Sequence, residues 1–147
     1  MPELVRSVVS RFQVYFEDRR QLPRLRVRLQ FTVALHRITR GLSLTRRPRI
    51  LTGHTKDISQ KGLAMLLPEI HLDGRHLTAD GRELELRLEI GSGEPIALLV
   101  IPNRYERLDN AELGCNYLIG ARIVSMDDSD RIRYENFLNE RLENQAA

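Results

Sequence analysis

From Leu25 to Leu35 the chain alternates without a break: Leu25, Val27, Leu29, Phe31, Val33 and Leu35 are apolar, and Arg26, Arg28, Gln30, Thr32 and Ala34 stand between them. A period of two belongs to a strand with one face on a core and the other toward water; a helix would need 3.6. This stretch therefore commits the chain to a sheet. Leu84, Leu86, Leu88 and Ile90 alternate with Glu85, Arg87 and Glu89, and Cys115, Tyr117, Ile119, Ala121 and Ile123 form a third such series. Gly91-Ser92-Gly93 turns the second series into Ile96 to Ile101, a hairpin that Arg104 to Leu108 prolongs. Ile50 to Lys56 reads as a strand pairing back on the first. Leu63 to Leu67 is a short apolar run closed by Pro68, and Asp73-Gly74 and Asp80-Gly81 mark turns around a variable loop. About six short, mostly antiparallel strands point to a small barrel or closed sandwich. Strands and helices do not alternate, which argues against a doubly wound nucleotide-binding fold.

Helical spacing occurs only at the ends. Leu4, Val5, Val8, Val9, Phe12, Tyr15 and Phe16 recur at steps of three and four, giving an amphipathic helix within residues 1–18. Its apolar face needs a cover, either the domain or a second copy. Near the other end, Asp127, Asp128 and Asp130 place carboxylates at a helix start, and Tyr134, Phe137, Leu138 and Leu142 form the stripe of a helix over about 127–143. Residues 19–147 then make one domain, a size that suits the 147-residue chain. With 41% apolar and 29% charged residues, collagen-like, disordered and membrane-embedded classes are excluded.

The net charge of +3 hides an asymmetry. Residues 1–56 carry 13 Lys/Arg against 3 Asp/Glu, whereas residues 57–147 carry 10 against 17. Only Lys56 and Lys61 are lysines, so the basic half is an arginine surface whose forked donors suit phosphates and guanine edges. One cysteine, Cys115, allows no internal disulfide and reads as a core thiol, with a reducing cytoplasm as the expected compartment. No stretch reaches the roughly 20 apolar residues of a membrane span. The chain is read as cytoplasmic, or as the soluble part of a membrane-anchored protein.

Signatures of catalysis are scarce. Gly91-x-Gly93 lacks a third glycine and joins strands, so it is a turn and no phosphate loop. There is no nucleophile elbow, and His36, His54, His71 and His76 lack zinc-ligand spacing. A non-enzymatic protein without metal or cofactor is expected.

Two short patterns remain. Arg20-Gln21-Leu22-Pro23-Arg24 is an Arg-x-x-x-Arg pair, of which composition alone supplies about three. Asp57-Ile58-Ser59-Gln60-Lys61-Gly62 is an Asp-x-Ser-x-x-Gly, expected about 0.02 times by chance. The bland readings are a solvated basic arm for the first and an Asx or Ser turn for the second. In order and context, however, the two patterns together resemble the PilZ domain, the bacterial receptor module for cyclic di-GMP. The likeness runs from about Arg19 to the C-terminal helix and includes a glycine in the last strand, matched by Gly120.

That resemblance implies a mainly β fold, a six-stranded antiparallel barrel carrying an N-terminal amphipathic helix and arm and a C-terminal helix. It also implies a ligand, cyclic di-GMP, bound by Arg20, Arg24, Asp57, Ser59 and Gly62, with Arg19, Gly120 and Arg122 beside them. The chemistry is coherent. Two guanines and two phosphodiesters call for forked donors, which Arg20 and Arg24 supply, and for acceptors facing guanine N1 and N2 hydrogens, which Asp57 and Ser59 supply. Gly62 would let backbone approach closely, and Arg19 would stack on a guanine. The expected protein is a sensor whose arginine arm becomes ordered on binding. The alternatives are an adaptor on the same barrel that binds no nucleotide and, less favoured, a basic nucleic-acid-binding domain. Aromatic residues make up only 5%, so a DNA partner is not expected. The amphipathic helices offer docking faces for a second copy or an effector protein.

Overall fold

In the computed structural model the described residues are 22–36, 49–79, 81–91, 93–109 and 114–146. The helix expected within 1–18, and Arg19 and Arg20 of the arm, lie outside them. The strands are β1 (Arg24–Arg26), β2 (Gln30–Leu35), β3 (Leu51–Ser59), β4 (Gly62–Leu67), β5 (His71–Leu72), β6 (Arg75–His76), β7 (Leu84–Leu88), β8 (Ile96–Arg107) and β9 (Tyr117–Met126); the helix α1 is Asp128–Ala146. Antiparallel pairing runs β3–β2–β7–β8–β9–β4 and returns from β4 to β3, closing a six-stranded barrel. β1 is an extra strand that continues the β2 side of β3. The mainly β barrel with a C-terminal helix is thus the architecture expected.

Alternation explains the barrel wall. Leu84, Leu86 and Leu88 of β7 are buried while Glu85 and Arg87 face out, and Ile96, Leu98 and Val100 of β8 repeat the pattern. With Phe31, Val33, Met65 and Ile119 they fill the interior.

The stretch from Leu25 to Leu35 is nonetheless not one strand. It breaks at residues 27–29, where the side chain of Thr55 replaces the ladder. The Thr55 hydroxyl donates to the Val27 carbonyl at 2.6 Å and accepts from the Leu29 N–H at 2.9 Å. The Thr55 N–H also donates to the Leu29 carbonyl at 2.9 Å. Each of these groups is thereby satisfied at the break. Three other boundaries differ from expectation. The second strand runs on to Ser59, Cys115 lies just before β9, and the loop around Asp73-Gly74 contains the β5–β6 hairpin. Asp73 (φ 55°) and Gly74 (φ 76°) are both left-handed, as a two-residue hairpin turn requires.

Helix α1 starts where the carboxylates predict: the Arg131 N–H donates to the Asp127 carbonyl, and Asp128 and Asp130 lie in the first turn. Asp130 accepts from the Ala97 N–H, and Arg133 donates to the Glu94 carbonyl, fixing the helix start to β8. Buried Tyr134 and Leu138 seat its inner stripe in the core. Among the described residues no helix is long and apolar enough to cross a membrane.

Candidate ligand site

The outer face of β3 depends on one extra residue. Thr55 pairs with Met65 and Asp57 with Ala64, so Lys56 is a bulge. Without it Asp57 would share the inward parity of Gly53 and Thr55; with it Ile58 points into the core and Asp57 and Ser59 turn outward. β1 then pairs Arg24 with Ser59 and Arg26 with Asp57, which puts all four on one face. The Arg24 Nε donates to Asp57 Oδ1 at 2.8 Å, joining the two patterns across 33 residues of sequence.

The rest of Asp57–Gly62 is a tight turn. Ser59 is only 2% exposed. Its hydroxyl donates to the Gly62 carbonyl at 3.2 Å, and its own carbonyl accepts from the Tyr134 hydroxyl at 2.7 Å. Burial, partly offset by Arg24, raises the Tyr134 pKa well above that of an ordinary phenol, so the hydroxyl stays a donor. A Cβ on Gly62 would come 2.7 Å from the Ala121 carbonyl oxygen, so glycine is required there for β4 to lie against β9. Gly62 has this packing role in addition to the ligand role inferred for it.

Gly62 pairs with Arg122 and Ala64 with Gly120, so the outer floor beside Asp57 is made of small residues. The side chains of Asn103 and Arg104 lie over Gly120, within 3.2–3.5 Å of where a Cβ would be. Of the inferred ligand residues, Arg24, Asp57, Ser59, Gly62, Gly120 and Arg122 thus share one face of neighbouring strands. Arg19 and Arg20 fall outside the described residues.

One register step further on, a groove of about 460 Å³ opens between Arg26, Arg28, His54, Lys56, Leu66 and Cys115. Cys115 is buried, its Sγ 3.9 Å from His54 Nδ1. Burial raises the thiol's pKa, with Arg28 acting in opposition; the thiol is buried, as read from sequence, but it lines this groove and stands outside the core cluster. Gly53 is a further structural position that periodicity did not reveal. A Cβ there would run into the Leu66 carbonyl oxygen and come 2.8 Å from Leu67 Cδ2.

The fold that carries this face is a closed six-stranded antiparallel barrel with one extra strand and a C-terminal helix. No protein-family model matches the chain, and no curated protein matches it. Among solved structures it is similar to the Bacillus subtilis Inhibitor of motility (MotI/DgrA), with a TM-score of 0.57 and 14% identity over 87% of this chain and 51% of that one. The chain spans about half the length of that protein, and at this identity the likeness is one of fold.

Proposed function

We propose that the protein is a non-enzymatic regulatory domain that binds cyclic di-GMP on the outer face of β1, β3 and β4. The observation that carries this reading is the Arg24–Asp57 contact, which unites the Arg-x-x-x-Arg and Asp-x-Ser-x-x-Gly patterns beside a floor of small residues. Arg24 engages Asp57 Oδ1 through Nε; the second carboxylate oxygen would accept the N1 and N2 hydrogens of a guanine, and the terminal nitrogens of the fork would donate to phosphate or guanine O6/N7. Ser59 contributes by holding the turn. Arg19 and Arg20, close before Arg24 in sequence, would reach the same ligand as the arm orders over it, and that ordering would be the output. A fold neighbour that is an inhibitor of motility accords with a regulatory role.

Titration calorimetry with cyclic di-GMP, with GTP and single-stranded DNA as controls, tests the reading. Saturable binding of the cyclic dinucleotide alone is expected. Arg24→Ala and Asp57→Ala should each lose about 1–3 kcal/mol of binding free energy, the worth of a bidentate base or phosphate contact. Unchanged affinity in both variants would sink the assignment. A chain that responds to neither the dinucleotide nor DNA would be an adaptor instead, and one that binds only DNA a basic nucleic-acid-binding domain.

A further inference from the structure

The site described so far has one charged wall, and the register supplies a second. Asp57 on β3 pairs with Ala64 on β4, Ala64 with Gly120 on β9, and Gly120 with Arg104 on β8. These four residues form one register row around the outer surface of the barrel, extended by Arg26 on β1. Its middle is Ala64 and Gly120, the smallest side chains available, and its ends are charged. Adjacent strands lie about 4.8 Å apart, so the row from β3 to β8 spans roughly 14 Å.

Arg104 reaches this face by the same device as Asp57. Pro102 pairs with Ala121 and is buried, whereas Arg104 pairs with Gly120, so Asn103 is an extra residue. The bulge reverses the parity of β8 and turns Arg104 outward. Its side chain lies across β9, with Nε and Cγ 3.2 and 3.5 Å from where a Gly120 Cβ would stand. Among the described residues no carboxylate pairs with it, in contrast to Arg24. Two bulges in one register row, a guanidinium that lies over a glycine and pairs with no carboxylate among the described residues, and the small residues Ala64 and Gly120 between the charged ends together suit a ligand with anionic groups on opposite sides.

We infer that Arg104 is the far-side cation of the ligand site, taking the phosphodiester opposite the one nearest Arg24. This rests on the cyclic dinucleotide reading above. A phosphodiester macrocycle carries its two phosphates on opposite edges and can engage both walls at once; a mononucleotide reaches only one. Arg104 therefore selects for the two-sided ligand.

Calorimetric titration of the full chain with cyclic di-GMP tests this in five proteins: wild type, Arg104→Gln, Gly120→Leu, Arg107→Gln and Asp57→Ala. Arg107 lies three residues further along β8 and pairs with Tyr117, whose neighbour Leu118 has the outward parity, so it serves as a charge-matched control off the row. Arg104→Gln is expected to weaken binding about tenfold or more, the effect of losing one charge-assisted bond. Gly120→Leu, which fills the floor while displacing only flexible side-chain ends, should weaken it at least as much; Arg107→Gln should match wild type. Wild-type affinity in Arg104→Gln, with Asp57→Ala weakened, would overturn the second wall and leave the ligand reading standing. Equal weakening in Arg104→Gln and Arg107→Gln would reduce the effect to general charge and also overturn it. A wild-type chain that does not bind overturns both.

Discussion

The two faces of the β3–β4–β9 wall are built from alternate residues of the same strands, yet they are made to opposite specifications. Inward stand Ile58, Leu63, Met65 and Ile119, all fully buried. Outward stand Asp57, Ala64, Gly120 and Arg122, small or charged and partly or wholly exposed. Removing an inner side chain opens a cavity in a close-packed interior, while removing an outer one exposes little and unpairs little. The inner face should therefore govern stability and the outer face affinity, and substitutions of similar size on neighbouring residues can separate the two.

The largest effect is expected on the inside. Met65→Ala deletes a fully buried side chain and should cost about 2–5 kcal/mol of folding free energy, read from the denaturant midpoint, while folded protein binds cyclic di-GMP as wild type does. A comparable loss of stability in Arg122→Ala, on the outer face, would break the comparison. Gly53→Ala comes next. The added methyl meets the Leu66 carbonyl, a backbone atom that cannot swing aside, and overpacking of this kind costs about 1–3 kcal/mol.

Tyr134→Phe joins the two faces, because the tyrosine packs in the core and its hydroxyl caps the Ser59 carbonyl behind the site. Losing that bond should cost about 1 kcal/mol. Its pH dependence identifies the cause. The unfolded phenol ionises near pH 10 whereas the folded one, raised by burial, holds its proton, so above about pH 10 the unfolded state binds fewer protons and stability falls. Below that pH the contribution is complete. Melting curves between pH 8 and 11 should show wild type losing more stability than Tyr134→Phe; parallel curves would remove the buried phenol from the account.

The inner face was legible in the sequence because it is a matter of periodicity, and Leu84, Leu86 and Leu88 announce their burial without reference to any other strand. The outer face was legible only in part. Asp57 and Ser59 could be singled out by the rarity of their pattern, but their outward aim depends on Lys56 being a bulge residue, and a bulge leaves no mark in the alternation when its neighbours are polar. Arg104 shows the limit more clearly. Nothing near it in sequence sets it apart from the other arginines, because its significance lies in pairing with Gly120 sixteen positions on, after a register shift at Asn103. Gly53, and the packing role of Gly62 beside the ligand role read for it, were hidden for a related reason: the atoms that forbid a side chain there belong to other strands. The break at Val27–Leu29 escaped notice because apolar alternation continues straight through it, and only the Thr55 hydroxyl reveals where the ladder stops.

The smallest expected effect is the sharpest test of the comparison. Arg24 and Asp57 form a close side-chain ion pair at the candidate site, and a reading that ranks contacts by distance would make their loss serious for the fold. The Arg24 side chain is 44% exposed, however, so water and salt screen the pair and its worth to stability is below about 1 kcal/mol. Leu25, between Arg24 and Arg26, is buried and pairs with Ile58, so β1 stays anchored when the charge is gone. Arg24→Gln should therefore shift the denaturant midpoint by no more than about 0.5 kcal/mol in stability, less still in high salt, while weakening cyclic di-GMP binding about tenfold. A large stability loss with unchanged affinity would make the pair a structural clasp and return the outer face to the same role as the inner one.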